Sequence, residues 1–379
     1  MVNGRLRSLK GVAQLKYLRS QVGVMIKDCK AATQAEVNMN QRDRAPVFLV
    51  SGLLVVLALL TACTAVGEGS QAAGPADEVT IQLSWLPDVE FTGFYTALDR
   101  GFYADEGLDV TLQHVQFDEN GVPISSIDVV TGGEAQFGVV DGGVLLEARE
   151  SGAPIVAIAT IYQRHPLALT SLAENEIVQP QDLVGKTVHV SFVSQTVYNA
   201  LLASQEIDPA EVNTVERTDF TIQPLLTGEA DVIDAWVTNE VVDLELEGYE
   251  VNTILPFEYG IAIYPDVIFT TEDLIASNPD LVARFLAATL RGMRTAIDEP
   301  EYAAELTLNY DDTLSAEKLD ASMFRSLPLL NPAGSQPGLM TADVWETTHQ
   351  ILLDQKMLAG PLDVTEAYTM EFLNAYYGE

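Results

Sequence analysis

Positive charge is scarce in this sequence: 20 Lys and Arg stand against 55 Asp and Glu, a formal net charge of -35 over 379 residues. Phosphate binding needs a Lys/Arg surface, so this balance argues against a nucleic-acid partner. Cysteine is scarcer still, with only Cys29 and Cys63, too few for a disulfide framework or a thiolate zinc site. The four histidines (His114, His165, His189, His349) are scattered without paired metal-ligand spacing, and no nucleophile elbow or P-loop occurs. Gly132-Gly133 and Gly142-Gly143 are isolated pairs that carry no phosphate signature. The longest apolar run, residues 47–62, falls short of the roughly 20 residues that a membrane-spanning helix needs. What is present is a 47% hydrophobic chain, ample for a packed core and unlike a disordered composition.

The charge is unevenly spread. Residues 1–44 hold nine of the basic residues and three acids, so the chain from Cys63 onward carries 11 basic and 52 acidic residues, a balance of −41. The boundary is the run VFLVSGLLVVLALLTA at 47–62, preceded by Arg42 and Arg44, and its length suits a signal-peptide core. It ends in Leu60-Thr61-Ala62-Cys63, which resembles the lipobox of bacterial lipoproteins. Small residues there let a peptidase approach the backbone, and the Cys63 thiol then takes diacylglycerol as the new N-terminus. A signal anchor in which Cys63 is incidental is the plainer alternative. Residues 63–77 are rich in Gly, Ala and Ser without a hydrophobic period, and read as a flexible tether. Met39 opens a signal peptide of ordinary length at 39–62, so residues 1–38, Cys29 included, are expected to be an untranslated extension. The protein is thus expected to be extracytoplasmic and lipid-anchored to the cell membrane.

Beyond the tether, short apolar strands alternate with amphipathic helices. Residues 79–83 alternate as a strand, 91–105 read as a helix ended near Gly107, and 108–112 form a second strand. A helix around 124–131 precedes a strand at 137–140, and Asp141 is a natural N-cap for a helix through Arg149. The continuous apolar run 155–161 reads as a buried strand. The pattern recurs with strands at 187–190, 212–215, 231–235 and 250–254 and helices at 194–204, 221–226 and 239–246. From Thr271 onward the chain is mostly helical, with 281–297 the longest periodic segment. Alternation twice over predicts an α/β protein of two lobes with parallel-rich sheets and binding at the C-terminal ends of strands. No short-period repeat is visible, which excludes a solenoid.

The segment 81–110, IQLSWLPDVEFTGFYTALDRGFYADEGLDV, is the most informative in the chain. Trp85 with Pro87, Gly93-Phe94-Tyr95, Gly101-Phe102-Tyr103 and Gly107-Leu108-Asp109-Val110 together resemble the first strand and helix of the SsuA/THI5-like (NMT1) family of solute-binding proteins. Further matches follow in order at Phe137-Gly138-Val139-Val140, at 183–188 and at 226–231, so the resemblance covers roughly residues 78–300. It implies a type II periplasmic-binding-protein fold: lobe 1 from 78–165 and 263–379 with the C-terminal helices, lobe 2 from 166–262, a two-strand hinge, and a ligand in the interlobe cleft. It also implies an ABC permease and ATPase as partners, a monomer, no catalysis, and neither cofactor nor metal.

Candidate ligand-binding residues are polar or aromatic side chains directly after strands. Trp85 either stacks on a flat ring or fills an interlobe core, and Glu90, Phe91 and Gly93 belong to the same segment. Asp141 is either a ligand contact or a plain helix cap. Ser194, Gln195 and Thr196 open a helix as ligand donors or simple caps. Trp236 and Asn239 precede Glu240, which either accepts from a ring N–H or is solvated. Tyr162, Tyr259 and Tyr264 lie near the crossovers and line the rim or pack. Sulfonate and nitrate binders need cationic or helix-end anion sites, and of the 11 basic residues beyond the tether only Arg164 adjoins an expected crossover. The pattern is most similar to the branches that bind a thiamine pyrimidine precursor or riboflavin, both planar and nitrogen-rich. A sulfonate or nitrate binder and a ligand-sensing module are the alternatives. A pyrimidine-synthase-like enzyme fits poorly, because the chain lacks the cysteine-rich iron motif of those enzymes.

Overall fold

The structure is a computed structural model that describes residues 76–119, 123–218 and 220–378. Cys63 and nearly all of the segments expected to be a signal peptide and a tether lie outside the described residues. The first part of the chain builds β1 (Asp77–Gln82), α1 (Thr92–Asp99), α2 (Phe102–Asp105), β2 (Leu108–Gln113), α3 (Ser126–Thr131), β3 (Phe137–Val140), α4 (Gly142–Glu150) and β4 (Ile155–Thr160). It then crosses to a second region with β5 (Leu167–Leu172), β6 (Thr187–Ser191), α5 (Gln195–Ser204), β7 (Asn213–Arg217), α6 (Gln223–Thr227), β8 (Val232–Trp236), α7 (Glu240–Leu246) and β9 (Val251–Ile254). A second crossing returns it to β10 (Val267–Thr271), α8 (Glu272–Ser277) and the 20-residue α9 (Pro279–Asp298). The chain closes with α10 (Pro300–Thr307), α11 (Ala316–Leu330), α12 (Ala342–Asp354) and α13 (Glu371–Tyr377).

Each region has a five-stranded sheet, ordered β2-β1-β3-β10-β4 in lobe 1 and β7-β6-β8-β5-β9 in lobe 2. The sheets are mixed. β10 runs antiparallel to both β3 and β4, and β5 antiparallel to both β8 and β9, while the β1, β2, β3 and β6, β7, β8 ladders are parallel. The two antiparallel strands are the ones the chain enters after each crossing, over residues 161–166 and 255–266. A chain that leaves one sheet at its cleft end enters the other from the cleft side, and so runs against strands that arrive from behind their helices. The sequence pattern predicted neither β5 nor β10.

Packing explains several local choices. All six residues of β4 are buried although it closes its sheet's order. Its free side is covered by the C-terminal segment, where Ala157 N–H donates to the Ala367 carbonyl and Thr369 N–H to the Ala157 carbonyl, both at 2.9 Å. Such cover removes the hazard of an open edge. Pro279 at the first helical position and Asn278 accepting from Leu281 N–H at 3.3 Å start α9. That helix lies so close to α1 that a Cβ on Gly292 would meet the Gly93 carbonyl oxygen at 2.1 Å. The C-terminal helices also reach lobe 2. Lys318 on α11 pairs with Asp243 on α7 at 2.8 Å, Arg325 pairs with Glu245, and Gln355 after α12 donates to the Thr196 carbonyl at 2.9 Å.

Candidate functional site

A cavity of about 220 Å³ opens between the two sheets, at the ends of their strands. Its lobe 1 wall begins just after β1, with Ser84 and Trp85. The Trp85 carbonyl accepts from His114 Nδ1 at 3.2 Å, which leaves Nε2 to accept from the Tyr95 hydroxyl at 3.3 Å. Asp88 then caps a short turn at residues 89–91, accepting from Val89 N–H at 2.6 Å, and this turn carries Glu90 into the wall. Asp141 caps α4 by accepting from Gly143 and Val144 N–H at 2.7 and 3.1 Å. Asp266, the last residue of the second crossing, accepts from Ser84 Oγ at 3.0 Å.

The lobe 2 wall is centred on Arg217, the last residue of β7, which is 3% exposed. Its Nη1 donates to Asp234 Oδ1 at 2.9 Å and to the Asp234 carbonyl. Its Nη2 donates to the Thr221 carbonyl at 2.9 Å and to Glu240 Oε1 at 3.3 Å. The other Glu240 oxygen accepts from Trp236 N–H at 2.9 Å. Ser191 donates to the remaining Asp234 oxygen, with Ser194 Oγ 3.3 Å away. Trp236 stands edge-on to Tyr162 and His165, at 6.2 and 5.9 Å between ring centroids. Phe220 reaches across to Trp85 of the facing lobe, 5.8 Å between centroids and 73° between planes.

The electrostatics are those of a carboxylate-rich cleft with one internally neutralised cation. Among the described residues six acids line it (Asp88, Glu90, Asp141, Asp234, Glu240, Asp266) and Arg217 alone carries permanent positive charge there. Burial pushes Asp141 up to about 6 against its two backbone caps, and pushes Asp266 up to about 7. Glu90 is driven well above the usual carboxylate range by burial, then by Asp266 and Asp88. Burial lowers His165 to about 3, and its Nδ1 accepts from Leu167 N–H at 3.1 Å, so it is a neutral ring with the proton on Nε2. The α4 N-terminus, otherwise a natural anion site, already holds the Asp141 carboxyl. Buried polar atoms without a partner remain at Glu90 Oε1, Asp266 Oδ2 and Arg217 Nε.

Of the residues singled out from sequence, the cavity brings together Trp85, Glu90, Asp141, Ser194, Trp236, Asn239 and Glu240. The Ser194 side chain makes no cap bond to its helix, and Glu240 is 4% exposed. The others stand away from the cavity. Phe91 packs on Phe94 and His114 in the core, and Gly93 faces Met293 on α9. Tyr162 is buried behind Trp236, with its hydroxyl 3.0 Å from Ser326 Oγ. Gln195 bonds Asn199, Thr196 bonds Met357 Sδ, and Tyr259 packs half-buried against the lobe 2 core. The Tyr264 hydroxyl accepts from Thr341 N–H at 2.8 Å. Arg164, the cation weighed from sequence, is exposed over the Phe257 ring, and the cavity's cation is Arg217 instead. Arg217 ends β7 and Phe220 follows it, so a rule that favours residues at and directly after strand ends also covers both. An acid inside the apolar strand Val232–Trp236 was a signal for Asp234.

Two mixed sheets, two crossings and a cavity between them define the two-lobed fold of periplasmic binding proteins. The periplasmic aliphatic sulphonate binding protein SsuA from Escherichia coli shares that fold with a TM-score of 0.61 at 11% identity, over 77% of this chain and 91% of that one. The chain belongs to the family described as NMT1/THI5 like, which it matches over residues 88–303. It is 32% identical over 349 residues to the riboflavin-binding protein RibY of Chloroflexus aurantiacus, across 86% of this chain and 97% of that protein. A formylaminopyrimidine-binding protein from Halalkalibacterium halodurans is 24% identical across 85% of this chain and 97% of its own. A relative from Legionella pneumophila, 26% identical across 78% of this chain and 92% of its own, is named 4-amino-5-hydroxymethyl-2-methylpyrimidine phosphate synthase.

Proposed function

We propose that this protein is the extracytoplasmic solute-binding component of an ABC importer and captures a planar nitrogen heteroaromatic, of the riboflavin or aminopyrimidine kind, between its lobes. The observation that carries this reading is the pairing of aromatic walls with a carboxylate-lined floor. Trp85 and Phe220 meet edge-on across the cleft, Trp236 and His165 stand behind, and each aromatic contact contributes about 0.5–1.5 kcal/mol beyond area burial. The polar groups accept far more hydrogen bonds than they donate, which suits a ring bearing N–H and amino groups. A sulfonate or nitrate would face six acids and an arginine whose charge Asp234 and Glu240 already match. Riboflavin is the first compound to test, because the riboflavin-binding relative is 32% identical across 86% of this chain and 97% of its own. Binding rather than catalysis is supported by the riboflavin-binding and formylaminopyrimidine-binding relatives, which span 86% and 85% of this chain.

Attachment to the membrane through a lipid on Cys63 belongs to the same proposal and rests on the lipobox-like residues 60–63. Thermal-shift and calorimetric titrations with riboflavin, thiamine pyrimidines, taurine and nitrate test the ligand class, and a response to the anions alone refutes it. Mass spectrometry of the membrane-extracted protein tests the anchor, which a free Cys63 thiol would rule out.

A further inference from the structure

The heteroaromatic reading leaves one feature of the cavity unused. Glu90 and Asp266 are 7% and 4% exposed, both line the lobe 1 wall, and each keeps one buried oxygen without a partner. We propose that these two carboxyls share a single proton and that the pair sets ligand specificity by reading a donor–acceptor edge. The carboxylate accepts from a ring N–H or an amino group, while the carboxylic acid donates to the adjoining ring nitrogen or carbonyl oxygen. Both an imide edge and an amidine edge present that pattern, so the inference rests on the heteroaromatic reading and sharpens it.

The surroundings favour one proton on the pair. Among the described residues no Lys or Arg forms an ion pair with either carboxyl. The facing titratable groups are acids or neutral: Asp88 on the same turn, Asp141 at the head of α4, and the Tyr95 and Tyr162 hydroxyls, all coupled electrostatically to this group. Lys318 acts on Asp88, though it is itself paired with Asp243. His165 is neutral, and Arg217 on the opposite wall is engaged by Asp234 and Glu240. Two neighbouring carboxylates in such a place repel one another and lose hydration, and a retained proton relieves both costs. Ser84 donates to Asp266 Oδ1, while Asp266 Oδ2 and Glu90 Oε1 are the buried carboxyl oxygens left without a partner. The same arrangement rejects an anion, because the unprotonated partner repels it.

The test is the pH dependence of affinity, measured by titration calorimetry from pH 6.5 to 8.5. The probes are riboflavin and 4-amino-5-hydroxymethyl-2-methylpyrimidine, and the proteins are the unmodified chain, Glu90→Gln and Asp266→Asn, each checked for an unchanged melting profile. If the shared proton leaves near pH 7, the Kd of the unmodified protein rises about twentyfold over this range. Either amide supplies a permanent donor beside a permanent carboxylate, so each variant binds with a Kd that changes less than about threefold. A pH-independent Kd in the unmodified protein, or a variant that keeps its pH slope, overturns the shared proton while leaving the ligand class standing. Failure of both probes to bind the unmodified protein at any pH overturns the heteroaromatic reading and this inference with it.

Discussion

Replacing Arg217 with Met tests the lobe 2 wall most directly. Methionine fills much of the space of the arginine stem, so the change deletes charge and hydrogen bonds rather than opening a large void. It leaves Asp234 and Glu240, 2% and 4% exposed, without their cation, and strips donors from the Thr221 and Asp234 carbonyls. Deleting one partner of a buried ion pair costs about 3–5 kcal/mol. At about 2–4 °C per kcal/mol for a domain of this order of size, Tm should fall by about 6–20 °C at pH 8. The sign of the pH dependence follows from Glu240. Burial raises its pKa while Trp236 N–H and the guanidinium pull it down, so removing Arg217 raises the folded-state value further. A carboxyl whose folded pKa lies above its unfolded value, about 4.3 for Glu, destabilises the fold at high pH. That penalty shrinks as pH falls through the folded value. The deficit should therefore be full at pH 8 and smaller at pH 5.5, and Glu240→Gln added to Arg217→Met should recover part of it. Scanning calorimetry of the single and double variants measures this. A deficit below about 1 kcal/mol at pH 8, or one of equal size at pH 5.5, would refute the buried-charge account.

Three further outcomes are expected. Trp85→Ala should weaken binding of a ring compound at least about tenfold, or ~1.4 kcal/mol, and an unchanged Kd would assign Trp85 to packing alone. Gly292→Ala should cost about 1–3 kcal/mol or more of stability, because its methyl group would collide with the Gly93 carbonyl and the Ala97 side chain; a Tm within 1 °C of the parent would contradict the observed helix approach. The His165 ring should show no NMR titration between pH 5 and 8, since its pKa lies near 3, and a midpoint near 6 would show that the ring is solvated.

The legible parts of the fold were those with a local cause. Phe137–Val140 is a strand over the residues its apolar run indicated, and Asp141 caps α4 as its position required. β5 and β10 escaped because their short runs, LALTSL and VIFTT, gain partners only through distant strands. The site divides in the same way. Trp85, Asp141, Trp236 and Glu240 were visible because each follows a strand. Asp266 depends on where the second crossing lands, and the Arg217 triad joins three segments that are separated in sequence. Tyr162, Tyr259 and Tyr264 show the converse: an aromatic near a crossover is as readily used for packing as for ligand.

The position of β10 also dictates an order of assembly. Lobe 2 is one unbroken stretch, and its two ends lie side by side because Leu169 of β5 pairs with Ile254 of β9. All five of its strands are therefore synthesised once residue 254 has been made. The lobe 1 sheet begins earlier and finishes later, because β10 alone joins β3 to β4 and is followed by the α9 helix that covers α1. During vectorial synthesis or translocation the first-made strands must wait, with apolar faces uncovered, for a strand made more than a hundred residues later. Long-range closure of this kind is slow and exposes aggregation-prone surface. The half of the molecule that starts the chain is thus the half that most needs a chaperone.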